Sequence, residues 1–316
     1  MPQNPTGSNS ENKLSVLITG GSGLIGRYLT SALLDSGHKV SHLSRSSANL
    51  GLVRVFKWIP GKGFIDPEAL NGIDYIVHLA GANIGEKRWN EKRKTEIIES
   101  RVNSAKFLHK VISGRGIRLK AFISASATGF YGTSSSMKIF TETDPPGNDY
   151  LANVCQQWEE ASDLFNNSGI RTVKIRTAVV LEKSDNALSK LMKPAKYGFL
   201  FQTGDGLQYM PWIHIKDLCN IYLKAIIESD MSGSYNATAP QSVTHAEFIK
   251  TLGRVMKKPV FPIHVPGFVL KALLGEMSEV VLKGNPVSSE KIMNAGYQFF
   301  YSNLEAALSN IINNPD

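Results

Sequence analysis

Short apolar runs alternate along this chain with stretches whose apolar residues recur three and four apart. Leu14–Ile18 reads as a fully buried strand, and Arg27-Tyr-Leu-Thr-Ser-Ala-Leu-Leu34 carries helical spacing into a helix over about 24–36 that ends at Gly37, a left-handed cap. His38–Ser44 and Val53–Trp58 read as the next two strands, and Pro67–Leu70 as a short helix closed by Asn71-Gly72. Asp74–Ala82 is a further buried strand with small residues at its carboxyl end. A long helix over about 90–113 turns Ile97, Ile98, Val102 and Leu108 inward. Ala121–Ser126 is a strand, followed by a Gly/Ser/Pro-rich loop to Asn148, a helix over 150–167 and a strand at Thr172–Arg176. Strand and helix alternate through residue 181, which predicts an α/β fold with a parallel, doubly wound sheet of Rossmann type.

Beyond residue 181 the pattern changes. A helix is expected over 186–197, a turn at Gly204-Asp-Gly206 and an extended piece at Met210–Ile215. Asp217 reads as the N-cap of a helix to Glu228, Gly233–Ala237 as a strand, and Thr244-His-Ala-Glu247 as a capping box. From Pro259 onward short helices are broken by Pro and Gly. No repeat or low-complexity linker separates the halves. The expected organisation is a polar, disordered tail over 1–13, a nucleotide domain over 14–181 that takes strand returns from the later chain, and a smaller mixed α/β substrate-side subdomain over 182–316.

Composition narrows the function classes. The 316 residues carry a net charge of +8, from 35 basic and 27 acidic side chains. The basic residues are dispersed, and Lys87-Arg88 and Lys92-Arg93-Lys94 alternate with acids on a predicted helix, so a solvated face is expected rather than nucleic-acid binding. Cys155 and Cys219 have no metal-ligand spacing and form no disulfide framework, and no metal site is expected. No apolar run is long enough to span a bilayer, and the polar N-terminus lacks a signal peptide's apolar core. A cytoplasmic protein is expected.

The chemistry begins where the first strand runs into Gly20, Gly23 and Gly26 and then into a helix, the context that a dinucleotide-binding turn requires. Gly20 allows the tight turn, Gly23 the close approach of a pyrophosphate, and Gly26 the packing of helix on strand. Where NAD-binding chains place an acid after the second strand, this one has Ser44-Arg45-Ser46, groups suited to a 2′-phosphate, so NADP(H) is the expected cofactor. Leu79, Ala80, Gly81 and Ala82 form the expected second cofactor wall. His78 sits within an apolar run and reads as a satisfied core histidine.

These segments, together with Ser124-Ala-Ser126 and Tyr131-Gly132, resemble the extended short-chain dehydrogenase/reductase superfamily. Leu79-Ala-Gly-Ala-Asn-Ile84, Arg88-Trp-Asn90, Ser100-Arg-Val102, Val154-Cys-Gln-Gln-Trp-Glu159, Pro211-Trp-Ile-His-Ile-Lys-Asp217 and the tail segments Gly275-Glu-Met277 and Gly296-Tyr-Gln-Phe-Phe300 are similar to a narrower group within it. That group is the NAD-dependent epimerase/dehydratase-like "epimerase family", with its own C-terminal segment. The resemblance covers about 14–312. It implies cofactor contacts at the glycine turn (Thr19, Gly20, Gly23, Leu24, Ile25, Gly26), at Ser44 and Arg45, and at Leu79, Ala80 and Gly81. Further contacts are implied at Glu96 and Arg101 on the long helix, which spacing alone would make a surface pair, and at the backbone of Val179. Oligomers stay open, because extended members often pair through the long helix, where Lys92-Arg93-Lys94 would place charge.

Hydride transfer in the superfamily uses a tyrosine to move the substrate proton, a lysine four residues later to lower its pKa, and a serine to polarise the substrate oxygen. Ser126 stands at the serine position, although a hydroxyl that satisfies loop backbone is an equal reading. The Tyr-x-x-x-Lys pair is absent. Tyr150 is followed four residues on by Val154, and alignment on Glu159 puts Leu151 and Cys155 in the two positions. Tyr131 and Tyr150 remain as candidate acids for carbonyl reduction, while Trp158 and Glu159 read as packing and capping residues. Cys155 has no flanking charge to stabilise a thiolate. Two readings follow: an NADP(H)-dependent oxidoreductase or epimerase for a small carbonyl or sugar-like substrate, or a non-catalytic NADP(H)-binding regulatory protein.

Overall fold

Val16, Leu17 and Ile18 are all fully buried because β1 (Ser15–Thr19) lies mid-sheet with helices on both faces. A computed structural model describes residues 13–46, 51–134, 137–184, 187–195, 199–261 and 264–313. After β1 come α1 (Leu24–Asp35), β2 (Lys39–Ser44), β3 (Arg54–Ile59), β4 (Phe64–Ile65), β5 (Tyr75–His78), α2 (Glu91–Gly114), β6 (Ala121–Ala127), α3 (Tyr150–Asn167) and β7 (Thr172–Thr177). The chain continues through β8 (Val179–Leu181), α4 (Ala187–Ala195), β9 (Gln202–Thr203), β10 (Trp212–His214), α5 (Ile215–Ile227), β11 (Gly233–Ala237) and α6 (His245–Met256). It ends with β12 (His264–Val265), α7 (Gly267–Leu274), α8 (Glu279–Leu282), α9 (Glu290–Asn294) and α10 (Leu304–Asn313).

The main sheet has the order β11-β7-β6-β5-β1-β2-β3-β4, parallel throughout except for the antiparallel β3–β4 edge. The predicted doubly wound sheet is therefore present. Side chains alternate across β1. Val16 and Ile18 pack with Leu29 and Leu33 of α1 and Leu218 of α5, whereas Leu17 packs with Leu108 of α2 and Phe165 of α3. Strand order reverses between β1 and β5, whose carboxyl ends are flush, Thr19 beside His78. Such a switch point opens a crevice outside the strand ends. A third core, with Leu181, Leu188, Trp212, Phe248 and Leu304, unites the later elements.

Several expectations need adjustment. The strand expected through Ala82 ends at His78, and Pro67–Leu70 is a 3-10 turn. Asp217 is not the N-cap of α5. His214 holds that place with extended backbone, and its ring accepts from the Lys216 N–H at 3.1 Å. The Asp217 carboxylate instead accepts from the Tyr297 hydroxyl at 2.7 Å and from the Phe300 and Tyr301 amides at 2.8 and 3.0 Å, tying in the C-terminal segment. The tail expected over 1–13, except for Lys13, and both ends of the helix expected over 186–197 lie outside the described residues.

Candidate functional site

The glycine turn is defined by what a β-carbon would strike. Gly20 has a φ of +70°, and a Cβ there would lie 2.9 Å from the Leu79 carbonyl carbon. A Cβ on Gly26 would lie 2.5 Å from the Gly20 oxygen. Backbone thus packs on backbone, which closes the turn and seats α1 on the sheet. Gly21, not foreseen, belongs to the same device: its Cβ would run into the His42 ring at 2.5 Å. Gly23 is exposed at the N-cap of α1, no side chain caps this end, and the first turn holds no acid. The amide donors around Leu24 and Ile25 and the positive end of the helix dipole therefore open on the crevice. A cradle with these features fits an anionic, phosphate-bearing group.

The second wall is pinned from behind. Thr19 is fully buried, so its side chain stands behind the wall and does not face the crevice. Its hydroxyl accepts from the amides of Leu79 at 3.2 Å and Ala80 at 3.1 Å and meets His78 Nδ1 at 2.9 Å. His78 Nε2 meets the Ser104 hydroxyl at 3.1 Å, and that hydroxyl donates to the Ser100 carbonyl at 2.7 Å. Only a neutral ring carrying its proton on Nε2 satisfies this chain, with Thr19 donating to Nδ1. Burial pushes His78 down to about 4, consistent with a core histidine. Leu79 and Ala80 are half-buried and Gly81 is exposed as the segment leaves the sheet.

Arg101 lies along this wall. A Cβ on Gly81 would be 2.9 Å from Arg101 Cζ, and the guanidinium stacks 4.9 Å from the Trp158 ring centroid. Its Nη1 donates to the Ile97 carbonyl at 2.9 Å. Glu96 does not pair with it. Glu96 binds Arg93 at 2.7 Å, and Arg93, itself buried, also holds Glu86 at 3.1 Å and the Asn83 carbonyl at 2.5 Å, which clamps the loop before α2. Ser44 is half-buried and Arg45 exposed at the carboxyl end of β2. Val179 already donates its amide to the Pro211 carbonyl at 3.0 Å.

The three candidate catalytic residues separate. Ser126 is buried and donates to Glu159 at 2.7 Å. Glu159 takes a two-pronged contact from Arg176, Nε at 2.8 Å and Nη2 at 2.9 Å, so it does not act as a helix cap. Arg176 Nη1 also donates to the Tyr131 hydroxyl at 2.9 Å, which in turn donates to Asn236 Oδ1 at 2.7 Å. Burial pushes the Tyr131 phenol up to about 12, against the pull of Arg176. Tyr150, at the first turn of α3, is half-buried, packs edge-on against Trp89 at 5.0 Å and donates to the Lys94 carbonyl at 3.0 Å. The Cys155 thiol is pushed up to about 12 by burial and by Glu159.

Residues 16–237 match the sequence profile of the NAD dependent epimerase/dehydratase family, and residues 265–311 match a domain of unknown function, DUF1731. Epimerase family protein YfhF of Bacillus subtilis is 35% identical over 302 residues, covering 95% of this chain and 98% of that protein. Epimerase family protein SDR39U1 of Homo sapiens is 33% identical over 306 residues, covering 95% and 100%. The crystal structure of human SDR39U1 (isoform 2) with NADPH superposes with a TM-score of 0.86 at 32% identity, covering 96% of this chain and 100% of that one.

Proposed function

The chain belongs to the NAD dependent epimerase/dehydratase family, and from that premise we propose that it is an NADP(H)-dependent oxidoreductase or epimerase acting on a small carbonyl or sugar-like compound. The observation that carries this reading is the uncapped, acid-free N-terminus of α1, which opens through a glycine cradle at the switch point. The relative crystallised with NADPH supports the choice of cofactor. Leu24 and Ile25 present amides to the pyrophosphate, Gly20 and Gly23 let it approach, and Gly26 seats the helix. Ser44 and Arg45 take the 2′-phosphate, an assignment favoured by the absence of an acid at the end of β2. Leu79, Ala80 and Gly81 line the opposite wall, held in place by Thr19, with Arg101 along it. Glu96 acts at one remove, through Arg93.

The cofactor supplies hydride chemistry when bound. The chain must exclude water, orient the substrate and move one proton at its oxygen. Tyr150 is assigned that proton, because its phenol is only half-buried and is engaged by a single carbonyl. Ser126 and Tyr131 support the site from within, by fixing the exit of β6 through Glu159 and Arg176. With NADPH and a panel of carbonyl compounds, Tyr150→Phe should lower turnover about a hundredfold while leaving NADPH affinity unchanged. Unchanged turnover would remove Tyr150 from this role. A second reading, an NADP(H)-binding regulatory protein, is favoured by the absent Tyr-x-x-x-Lys pair. It becomes the account if NADPH binds tightly and no carbonyl is turned over.

A further inference from the structure

Residues 267–283 are fixed at their ends and free of the core between them. Both ends are held by one turn of the later half: the Gly204 amide donates to the Val265 carbonyl at 3.0 Å, and the Tyr209 amide donates to the Gly284 carbonyl at 3.3 Å. Just beyond, Asn285, Pro286 and Val287 are buried, and Phe140 bonds to the backbone of Pro286 at 2.9 Å and Ser288 at 2.8 Å. Between these anchors lie α7, a 3-10 turn over Gly275–Ser278, and α8. They carry Phe268, Leu270, Leu273, Met277 and Val280, yet no apolar side chain of 267–283 is buried or joins a core among the described residues. Phe268 is 75% exposed. Ser278 is buried instead, and its hydroxyl donates to the Gly275 carbonyl at 2.6 Å, which braces the tip from within. A segment with firm ends, a braced tip and few buried apolar contacts opens at low cost.

The tip leaves the later half and reaches the nucleotide half. Glu276 pairs with Lys94, in the first turn of α2, at 2.5 Å, and a Cβ on Gly275 would lie 2.8 Å from Arg88 Nε. Lys94 Nζ in turn lies 5.4 Å from the Tyr150 ring centroid, and Trp89, next to Arg88, packs on the same ring at 5.0 Å. The tip therefore stands beside Tyr150. We propose that residues 267–283 form a flap that closes over the substrate end of the crevice, latched at its tip by Glu276 on Lys94 and opened by release of that pair. The inference rests on the assignment of Tyr150 made above, which places the substrate end. The latch suits repeated opening, because the Glu276 side chain is 62% exposed and an ion pair open to water is a weak tie. Lys94 keeps a second carboxylate, Glu91 at 3.3 Å, when Glu276 leaves. Closure brings an apolar hairpin over the site, which excludes water from the transfer of hydride and proton.

The test reads the flap directly and needs neither cofactor nor substrate. Amide hydrogen exchange is followed by mass spectrometry in the full-length protein, in wild type, Glu276→Gln and Glu276→Lys. Peptides within 267–283 should exchange faster in the glutamine variant and about fivefold faster in the lysine variant, while those over 285–288 keep the wild-type rate. Equal exchange within 267–283 in all three proteins overturns the proposal. Acceleration that spreads to 285–288 also overturns it, because the segment would then move with its anchor. Acrylamide quenching of Trp89, isolated by difference against Trp89→Phe, places the flap: Trp58, Trp158 and Trp212 are buried, and Trp89 is half-buried beside the tip. The Trp89 quenching constant should rise about twofold in Glu276→Lys, and an unchanged constant would overturn the position of the flap over the substrate end. Failure of every carbonyl to turn over would count against the reductase reading and leave both measurements intact.

Discussion

At the carboxyl ends of β1 and β5 the site is walled by backbone, whereas at those of β6, β7 and β11 the space is filled by side chains. The first region keeps spare donors: the uncapped start of α1, the Arg101 guanidinium beyond its one bond to the Ile97 carbonyl, and the Trp158 indole. The second region closes on itself. Ser126, Ser234 and Arg176 all donate to Glu159, and Tyr131 and Asn236 complete the circuit. The two therefore differ in what they lack. A satisfied buried network rigidifies a fold, whereas a surplus of donors at a strand-end crevice calls for a ligand rich in acceptors.

Three perturbations should act on the two regions separately. The largest effect is expected from Arg176→Met, which leaves the Glu159 carboxylate buried without its partner. Stability should fall by about 3–5 kcal/mol in urea unfolding, with NADPH affinity of the folded fraction held within about twofold. Comparable loss of NADPH binding would mean that the two regions are one. Next, Gly20→Ala places a Cβ against the Leu79 backbone at a left-handed φ. NADPH affinity should fall about a hundredfold, some 2.7 kcal/mol by fluorescence titration. Retained affinity would dissolve the cradle.

A third effect comes from acid. His78 and His245 are each pushed down to about 4 by burial, below an unfolded value near 6.5. Their stabilisation is complete above pH ~6.5 and is lost as pH falls toward the folded value, on the order of 2 kcal/mol each by pH 5. Glu159, raised by burial but lowered more by Arg176, has a folded pKa below its ordinary value, so its stabilisation persists until the carboxylate range is reached. Calorimetric scans from pH 7 to 5 should show the loss, and amide exchange at Leu79 and Ala80 should accelerate before that at Asn236. A flat profile would contradict the neutral His78 that pins the second wall.

What was legible in the sequence followed from local periodicity. The buried run of β1, the glycine spacing, the bounds of α3 and the Thr244–Glu247 capping box depend on neighbours within a few residues, so spacing alone specifies them. What was not legible depends on partners brought together by the fold. Asp217 has the residue type of an N-cap, yet its acceptors are used by Tyr297, Phe300 and Tyr301, more than 75 positions away. Glu96 and Arg101 have the spacing of a surface pair, but Arg93 takes the glutamate and Gly81 makes room for the arginine. Ser126 and Tyr131 carry residue types suited to catalysis, and their engagement with Glu159, Arg176 and Asn236 could not be read from positions 33, 45 and 105 residues apart.

The central claim is that the donor-rich crevice holds NADP(H). Titration of the purified protein with NADPH and NADH, in wild type and in Arg45→Ala, tests it most directly. Wild type should prefer NADPH at least tenfold, a preference that collapses in the variant, while NADH affinity stays unchanged. Equal binding of the two nucleotides to the wild type would contradict the 2′-phosphate assignment, and binding of neither would contradict the site itself.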